Sequence, residues 1–263
     1  MDQNYSTQFA SVRETVSAEE WEARVNLAAC YRLIDKFGMS DLIYNHITVR
    51  IPGSEEHLLI NLYGLLYKEI TASNLVKIDV EGNIIWKPQT DYGINVSGYV
   101  IHGAIHKARP DVKCVIHTHT RAGMGVASIK SGLLPMTQTS MRFVDHLGYH
   151  DYEGPATDLA ERARLVRDLG AHDAMILRNH GLLTCGATIQ QAFNTMYQLE
   201  LACRAQLDAM ASGDEILLPP REVLDHTANM YQPGTRRPYG VLEWHAMLRL
   251  LEAEPGGYPP YWH

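Results

Sequence analysis

The chain has 263 residues, a length that suits one large α/β domain or two small ones and allows a sizeable core. Hydrophobic residues make up 46% of the sequence and charged residues 20%, a globular composition that argues against a mainly disordered or fibrous protein. The formal net charge is -7 and there is no block of lysines and arginines, which argues against a nucleic-acid or anionic-membrane surface and favours small-molecule partners.

The cysteines and the N-terminal sequence indicate a reducing compartment. The four cysteines are widely spaced and none forms a C-x-x-C pair, so we expect reduced core thiols rather than disulfides or a sulfur metal site. The N-terminal stretch has neither the basic nor the apolar region of a signal peptide, and no later stretch has the roughly 20 apolar residues of a membrane span. A cytoplasmic protein without a membrane partner is therefore expected.

The first half of the chain predicts two helices around a meander of short strands. Residues 1–15 are polar and predict a flexible arm, and Ser17 with Glu20 forms a capping pattern for a helix that ends at Phe37 before Gly38. In chain order, the pattern then predicts strands at 47–51, 58–61, 76–80 and 83–86, with a hairpin turn at Gly82, and a helix over 97–108.

The second half alternates strands and helices without repeating the sequence. In chain order, it predicts a strand at 112–117, helices at 121–129 and 157–169, strands at 174–177 and 182–185, and a long helix from Thr188 to Ala211. Residues 213–263 are rich in Pro, Gly, Tyr and His, and predict an arm with one short helix at 244–251 that packs on a neighbouring subunit. The alternation predicts one α/β domain over residues 16–212 with a mixed sheet.

Two histidines flank a threonine where the strand predicted over 112–117 ends. Side chains two residues apart on a strand point to the same face, so the imidazoles of His117 and His119 can bind one ion. A lone H-x-H is equally compatible with two histidines that only pack or form hydrogen bonds. The pair therefore needs a second element before it predicts a site.

The second element is Asn179-His180-Gly181, at the end of another predicted strand, where we expect the glycine to allow a tight turn. Histidines at two strand ends of an α/β sheet predict a site at that edge. Three histidine ligands leave a metal position open, as catalytic sites do. Because the motifs contain no cysteine and no second carboxylate, the ligand set favours Zn, with Fe, Mn, Co or Ni as alternatives.

Six segments resemble the class II aldolase/adducin family, and its adducin-like branch most closely. They are DLIYNHITVR from residue 41, LYGLLYKEITASNLVKID from 62, ARPDVKCVIHTHT from 108, GLLP from 132, YHDYEG from 149 and ILRNHGLL from 176. The resemblance spans about residues 20–212. It implies a single-domain α/β/α layered sandwich with a central mixed, largely antiparallel sheet, usually in a fourfold homotetramer with active sites between neighbouring subunits.

The resemblance also implies a ligand set. In the metal-dependent aldolases of the family the matching histidines bind zinc, so the implied ligands are His117, His119 and His180. Adducin resembles this chain at many positions but is a cytoskeletal protein without enzyme function. Retention of all three histidines favours an active metal site here.

The chain departs from the sugar-phosphate aldolases of the family at several positions. Their catalytic glutamate corresponds to Gly98, so no acid can be supplied from that position. The phosphate-binding positions keep Ser97 and Gly64 but carry Val96 and Tyr63, and His46 stands where an asparagine is usual. These departures argue against a phosphorylated sugar. The substrate-binding residues implied here are His46, Tyr63, Gly64, Ser97, Gly98 and Arg142.

Loss of the glutamate narrows the chemistry. An aldolase must take a proton from the carbon next to a carbonyl and needs a positioned base, whereas a decarboxylase needs only an electron sink. We therefore predict a metal-dependent carbon–carbon lyase, a decarboxylase of a small hydroxy- or oxo-carboxylic acid. Aromatic acids are included because His46, Tyr63 and Tyr99 are expected to border the pocket. The alternatives are a retro-aldolase, a non-heme iron oxygenase, an epimerase or dehydratase, and a non-enzymatic adducin-like interaction protein.

Several other polar residues besides the three histidines can be interpreted either as functional or as structural residues. His102, one helical turn after Gly98, is a candidate acid or base or a hydrogen-bonded helix histidine. Tyr149, in a loop with His150 and Tyr152, is a candidate proton donor or a packing residue. Arg142 is a candidate carboxylate clamp or a surface arginine. Glu200 is a candidate partner that orients a metal histidine, or half of an ion pair, and Asn179 is a neighbour of the ligands. Four residues of the tail are candidates for closing a neighbouring subunit's site: Tyr231, Arg236, Arg237 and Tyr239.

Overall fold

Eight strands form one sheet in the computed structural model, which describes residues 7–54, 56–154, 161–232, 234–235, 237–253 and 258–263, with only the backbone of 96–98. The strands are β1 (His46–Arg50), β2 (His57–Ile60), β3 (Val76–Asp79), β4 (Ile84–Trp86), β5 (Cys114–Thr118), β6 (Gly148–His150), β7 (Ala174–Leu177) and β8 (Gly181–Gly186). Their order in the sheet is β4-β3-β2-β1-β5-β8-β7-β6. Every neighbouring pair is antiparallel except β6 with β7, so the predicted mixed, largely antiparallel sheet is confirmed.

Two of the helices begin at the capping residues that the sequence predicts, Ser17 and Thr188. They are α1 (Ala18–Lys36), α2 (Val96–Ala108), α3 (Arg121–Ala127), α4 (Gln138–Met141), α5 (Glu161–Leu169), α6 (Ile189–Ala211), α7 (Arg221–Asn229) and α8 (Val241–Glu252). The Ser17 hydroxyl accepts the Glu20 N–H at 3.1 Å at the start of α1, and Thr188 accepts the Gln191 N–H at 3.2 Å at the start of α6. Among the helices described, none combines the length and the apolar character that crossing a membrane requires.

Helices cover both faces of the sheet because alternate strand residues point to opposite sides. On β5, Cys114 and Ile116 belong to a core beneath α1, α3 and α6, whereas Val115 belongs to a second core beneath α2 and α5. This arrangement confirms the expected α/β/α layers. The four cysteines are buried and free, as expected.

Some elements differ from the prediction. Residues 148–150, interpreted as part of a loop, form β6, which pairs in parallel with β7. A strand of three residues is too short to show an alternating hydrophobic pattern, so this tertiary contact could not be predicted from the sequence. Helix α7 was not predicted, and α8 extends beyond the predicted residues 244–251 at both ends. The helix predicted from Thr157 is described only from Glu161, and residues 157–160 lie outside the described part.

Both terminal segments contact the domain in the parts that are described. Trp244 of α8 is buried and its indole N–H donates to Asn26 of α1 at 2.9 Å. The Ala72 N–H donates to the Tyr261 carbonyl at 2.8 Å. Residues 1–6 of the predicted flexible arm lie outside the described residues, but Val12 is buried. Packing of residues 213–263 on a neighbouring subunit stays a prediction.

Candidate metal centre

Three imidazoles meet at the edge of the sheet where β5 and β7 end. The His117 and His119 Nε2 atoms lie 2.9 Å apart, and those of His119 and His180 also lie 2.9 Å apart. His117 is on β5, His119 follows that strand directly, and His180 lies between β7 and β8. The antiparallel pairing of β5 with β8, which sets Thr118 opposite Leu182, brings the two motifs together.

Hydrogen bonds on the far side of two rings fix their orientation. Nδ1 of His117 lies 2.9 Å from the Leu182 carbonyl, and Nδ1 of His119 lies 3.2 Å from the Asp41 carboxylate. Both oxygens are acceptors, so each ring carries its proton on Nδ1 and presents a lone pair on Nε2. This is the tautomer in which Nε2 binds a metal.

The surroundings keep two of these histidines neutral. Burial, followed by the neighbouring His180 and His119, holds the pKa of His117 well below its ordinary value. Burial and His119 lower the pKa of His180 to about 4. Neutral imidazole is the form that coordinates metals.

The donor set fits a divalent transition metal. With their protons on Nδ1, the Nε2 atoms of His117 and His119, 2.9 Å apart, repel each other unless a cation lies between them. Two nitrogens bound tetrahedrally at Zn–N distances of 2.0–2.1 Å would be roughly 3.3 Å apart, close to this spacing. All three ligand nitrogens lie within 4.8 Å of one another. The arrangement therefore suits a cation with three nitrogen ligands and an open side.

The backbone around His180 depends on two special residues. Asn179 has φ 55°, a left-handed conformation that asparagine tolerates better than most residues, and its N–H donates to the Ala127 carbonyl at 3.1 Å. A Cβ at Gly181 would lie 2.3 Å from the Thr118 carbonyl oxygen. The prediction of a tight turn at Gly181 is therefore corrected. Asn179 adopts the turn conformation, and Gly181 is needed because β5 approaches the backbone closely there.

A row of buried polar side chains leads away from His117 beneath α2. The Thr48 hydroxyl lies 2.9 Å from Nδ1 of His102 and 2.8 Å from Nε2 of His106. The rings of His102 and His46 have centroids 3.9 Å apart, and His46 lies directly opposite His117 across β1 and β5. We call Thr48, His46, His102 and His106 the polar layer. It connects α2 with the metal centre through buried side chains.

Burial keeps two histidines of the polar layer neutral. Burial, followed by His46, keeps the pKa of His102 well below its ordinary value. Burial and the charge of Arg50 lower the pKa of His106 to about 3. The contacts of His102 with Thr48 and His46 agree with the interpretation as a hydrogen-bonded helix histidine.

Two predicted site residues have partners outside the three-histidine cluster. Glu200 is buried, accepts the Thr120 hydroxyl and accepts Arg204 Nε at 2.7 Å, which agrees with the ion-pair alternative. The Tyr149 hydroxyl accepts the Leu133 N–H at 3.0 Å, and the Arg178 guanidinium lies 4.3 Å from the Tyr149 ring centroid. These contacts explain how both residues are held.

The implied substrate residues are spread over several places. The Tyr63 N–H donates to the Gly93 carbonyl at 2.8 Å, and a Cβ at Gly64 would lie 2.5 Å from the Tyr92 ring. Ser97 and Gly98 belong to the first turn of α2, and their side-chain positions lie outside the described part. The Tyr99 hydroxyl donates to the Asp79 carbonyl at 3.3 Å.

Arg142 and the tail residues line a cavity that contains none of the three histidines. The guanidinium of Arg142 lies close to Phe143, Tyr231 and Tyr239, and Arg237 lines the same cavity. Arg236 lies outside the described residues. The structure thus separates Arg142 from the metal centre.

An open cleft of about 540 Å³ reaches Asn179, the neighbour of His180, although none of the three histidines lines it, and it includes residues that the sequence did not single out. Lys130, Arg178 and Asn179 line it, and the ring of Tyr152, also in its wall, is 6.2 Å from that of His180. Arg178 immediately precedes Asn179-His180-Gly181, and this position next to the motif is the sequence signal that could have identified it as a candidate site residue. Asp41 opens the DLIYNHITVR segment, but nothing local ties it to His119.

Comparison with known proteins gives matches over most of the chain. A profile of the class II aldolase and adducin N-terminal domain matches residues 25–207. A Pseudomonas aeruginosa protein named for the class 2 aldolases is 46% identical over 252 residues, covering 95% of this chain and 96% of the relative. The crystal structure of an aldolase II superfamily protein from Pseudomonas syringae has TM-score 0.88 and 48% identity, covering 97% of this chain and 100% of that one. Mouse alpha-adducin is 40% identical over 244 residues, which cover 87% of this chain and 33% of adducin.

Proposed function

Because the chain belongs to the class II aldolase and adducin family, we propose that it is a metal-dependent carbon–carbon lyase that decarboxylates small hydroxy- or oxo-carboxylic acids, aromatic acids included. The observation that carries this proposal is the convergence of three Nε2 atoms, from His117, His119 and His180. Such a set of neutral donors is typical of a catalytic metal site, and zinc suits it best.

The chemistry divides between the cation and the chain. A divalent cation would act as a Lewis acid on a substrate oxygen and stabilise the negative charge left as carbon dioxide departs, an effect worth several kcal/mol. Asp41 and the Leu182 carbonyl keep two of the rings aimed at the centre. Gly98 supplies no base, which disfavours aldol chemistry because that reaction must remove a proton next to a carbonyl. Loss of carbon dioxide has no such requirement.

The cleft beside His180 offers groups that suit a carboxylic acid. Arg178 donates one N–H to the Ile129 carbonyl at 2.8 Å and stacks on Tyr149, so its guanidinium is held in place beside the cleft. Lys130 and Asp151 line the same cleft, so two basic side chains stand against one acidic side chain there. The phenol of Tyr152, in the same wall, is a candidate proton donor for the carbon that loses carbon dioxide. Tyr149 and His102 keep their sequence-based roles as weaker candidates.

Three other functions use the same geometry differently. Three nitrogen donors with an open side would also hold Fe(II) for an oxygenase, and a retro-aldolase would need a base from outside position 98. The 40% identity to mouse alpha-adducin supports a non-enzymatic interaction protein. Oxygen uptake identifies the oxygenase, and absence of bound metal identifies the interaction protein. We also propose a homotetramer, which light scattering would test.

The test begins with protein purified without added metal. We expect about one equivalent of bound divalent metal per chain, and carbon dioxide release from a panel of hydroxy- and oxo-acids that persists under nitrogen. His180→Ala should lower metal occupancy and abolish turnover, with unchanged circular dichroism. His245→Ala, on the exposed side of α8, is the matched control and should behave as the parent.

Two results would contradict the proposal. Full turnover in a variant lacking all three histidines would separate the reaction from the metal centre. Carbon dioxide release that stops under nitrogen would assign the site to oxygen chemistry.

A further inference from the structure

A second cavity, of about 430 Å³, lies at the far end of β7 from the metal centre. Its walls come from residues 142, 143 and 146 after α4, residues 171–174, the start of α6, and residues 231, 232, 234 and 237–239. The cavity thus includes Ala174, the first residue of β7. His180 follows Leu177, the last residue of that strand, so roughly 10 Å of extended backbone separates the cavity from the histidines. The volume falls within the range of small-molecule sites, about 300–1,000 Å³.

Arg142 is the central charge in this cavity. Its guanidinium carbon lies 5.3 Å from the ring centroid of Phe143, 5.4 Å from that of Tyr231 and 5.7 Å from that of Tyr239. In the part of the chain that is described, its hydrogen bond is to the Asn194 side-chain oxygen at 3.4 Å. A guanidinium has five N–H donors, so most of them have no acceptor among the described residues.

The other charges in the cavity already have partners. Arg237 forms two hydrogen bonds with Glu243, at 3.0 and 2.6 Å. Asp173 lies 3.5 Å from Arg109. Among the residues described, Arg142 has no carboxylate within the 4.0 Å of an ion pair. Arg142 is therefore, among the described residues that line the cavity, an arginine without an ion-pair partner.

Removal of water makes this charge costly. Burial lowers the pKa of the Arg142 guanidinium, which shows that its charged form has lost solvation. Charges that have lost part of their solvation in proteins are normally paired with an opposite charge, and Arg142 is partly buried. The aromatic rings offset part of this cost by cation–π attraction, and an anion in the cavity would offset more.

We propose that this cavity binds a small organic carboxylate, with the planar Arg142 guanidinium pairing with the carboxylate and the rings of Tyr231 and Tyr239 contacting its organic part. Among the described residues the Arg142 guanidinium has no ion pair, so it suits a single carboxylate, and the carboxylate of Asp173 in the wall disfavours a dianion such as phosphate. The aromatic rings favour a ligand with a planar body. This site is independent of the proposed lyase reaction.

The test uses the full-length protein after removal of metal with a chelator. Benzoate is the probe, and benzamide is its neutral counterpart of nearly the same shape. Ligand-detected NMR titration should give saturable binding of benzoate, one per chain, at least tenfold tighter than benzamide. Inorganic phosphate should compete poorly. Equal binding of benzamide and benzoate would overturn the proposal.

Variants locate the binding. Arg142→Met should weaken benzoate binding at least tenfold, and Arg142→Lys should weaken it less because the charge remains. Arg249→Met, on the exposed surface of α8, is the matched control and should leave binding unchanged. Tyr239→Leu provides a second variant with the charge intact and should also weaken benzoate, by a smaller factor. Thermal melting checks that each variant is folded.

His180→Ala separates the two sites. Benzoate binding should survive this substitution, because the cavity contains no metal ligand. Loss of binding in His180→Ala with full binding in Arg142→Met would place the carboxylate at the histidines and overturn the proposal. Dissociation of an oligomer by Arg142→Met, without benzoate binding in the parent, would assign the cavity to an acidic side chain of a second copy and equally overturn it.

Discussion

The two faces of the sheet are buried to a similar degree but differ in chemistry. Beneath α1 and α6, the strands present residues such as Ile47 and Ile116 to an apolar core. Beneath α2, alternate residues of the same strands are His46, Thr48 and His117, all buried. An apolar core depends on volume and shape, whereas buried polar groups depend on particular partners. The larger apolar core therefore lies on one face, whereas the other face combines a smaller apolar core with the polar layer and His117.

The largest effect should come from the apolar face. Leu199 of α6 is fully buried, so Leu199→Ala should lower the free energy of unfolding by about 2–5 kcal/mol through lost burial and the cavity left behind. The folded variant should still bind one metal. Chemical denaturation and metal analysis measure the two quantities, and Leu201→Ala, 42% exposed on the same helix, is the control. Loss of metal from folded Leu199→Ala would break the division between the faces.

A single hydroxyl should matter on the polar face. Thr48→Val keeps the shape but removes the partner of His102 and His106, and a buried unsatisfied group costs about 1–3 kcal/mol. Urea denaturation should show this loss while metal stoichiometry is unchanged. Thr184→Val, equally buried but with only the Ala192 carbonyl as the hydroxyl's described partner, should cost less. Equal losses would show that the paired histidines add nothing.

Metal affinity should respond to a carboxylate that is not a ligand. Asp41→Ala removes the acceptor that orients His119, and such changes typically weaken metal binding about 10- to 100-fold. The stability of the metal-free protein should change little, because Asp41 is only partly buried. Competition with a fluorescent chelator measures the affinity, with Asp208→Ala on α6 as the control. An unchanged metal affinity would show that Asp41 does not contribute to metal binding.

The polar layer should also make stability depend on pH. The folded-state pKa of His106 is about 3 against an ordinary value of 6.5, so the unfolded chain binds the proton more readily and stability falls as pH drops from about 6.5 towards 3. Between pH 7 and pH 5 this one group accounts for up to about 2 kcal/mol, at about 1.4 kcal/mol per pKa unit. His106→Gln should lose correspondingly less stability over that interval. Leu199→Ala should lower stability equally at both pH values, and an unchanged slope in His106→Gln would refute the assignment.

Features with a local cause were predictable from sequence. Helices α1 and α6 have capping residues and long apolar faces, so Ser17 and Thr188 marked their starts correctly. Strand β6 was not predicted because its pairing with β7 is a tertiary contact. Helix α7 was missed because nine polar-rich residues in a proline-containing tail give a weak periodic signal.

The metal centre was predictable in part for the same reason. The two-residue spacing of His117 and His119 is a property of strands, and His180 was found because its motif follows another predicted strand. Asp41 contacts His119 across 78 residues of sequence, a contact that only the folded chain creates. Arg142 lines a cavity that contains none of the three histidines, a placement that residue spacing does not encode, and its role in substrate binding stays a prediction.

The hydroxyl of Thr48 has one proton and two imidazole neighbours. A ring N–H of His102 or His106 must therefore donate one of the hydroxyl's two hydrogen bonds. The polar layer thus has two possible arrangements, in which one or the other histidine is the donor. Because α2 and β1 exclude water there, these labile hydrogens should exchange slowly with solvent. Their resonances should therefore be visible in a proton NMR spectrum without isotope labelling. Changes in these resonances would show whether α2 stays packed against β1 when the nearby centre binds or loses its ion.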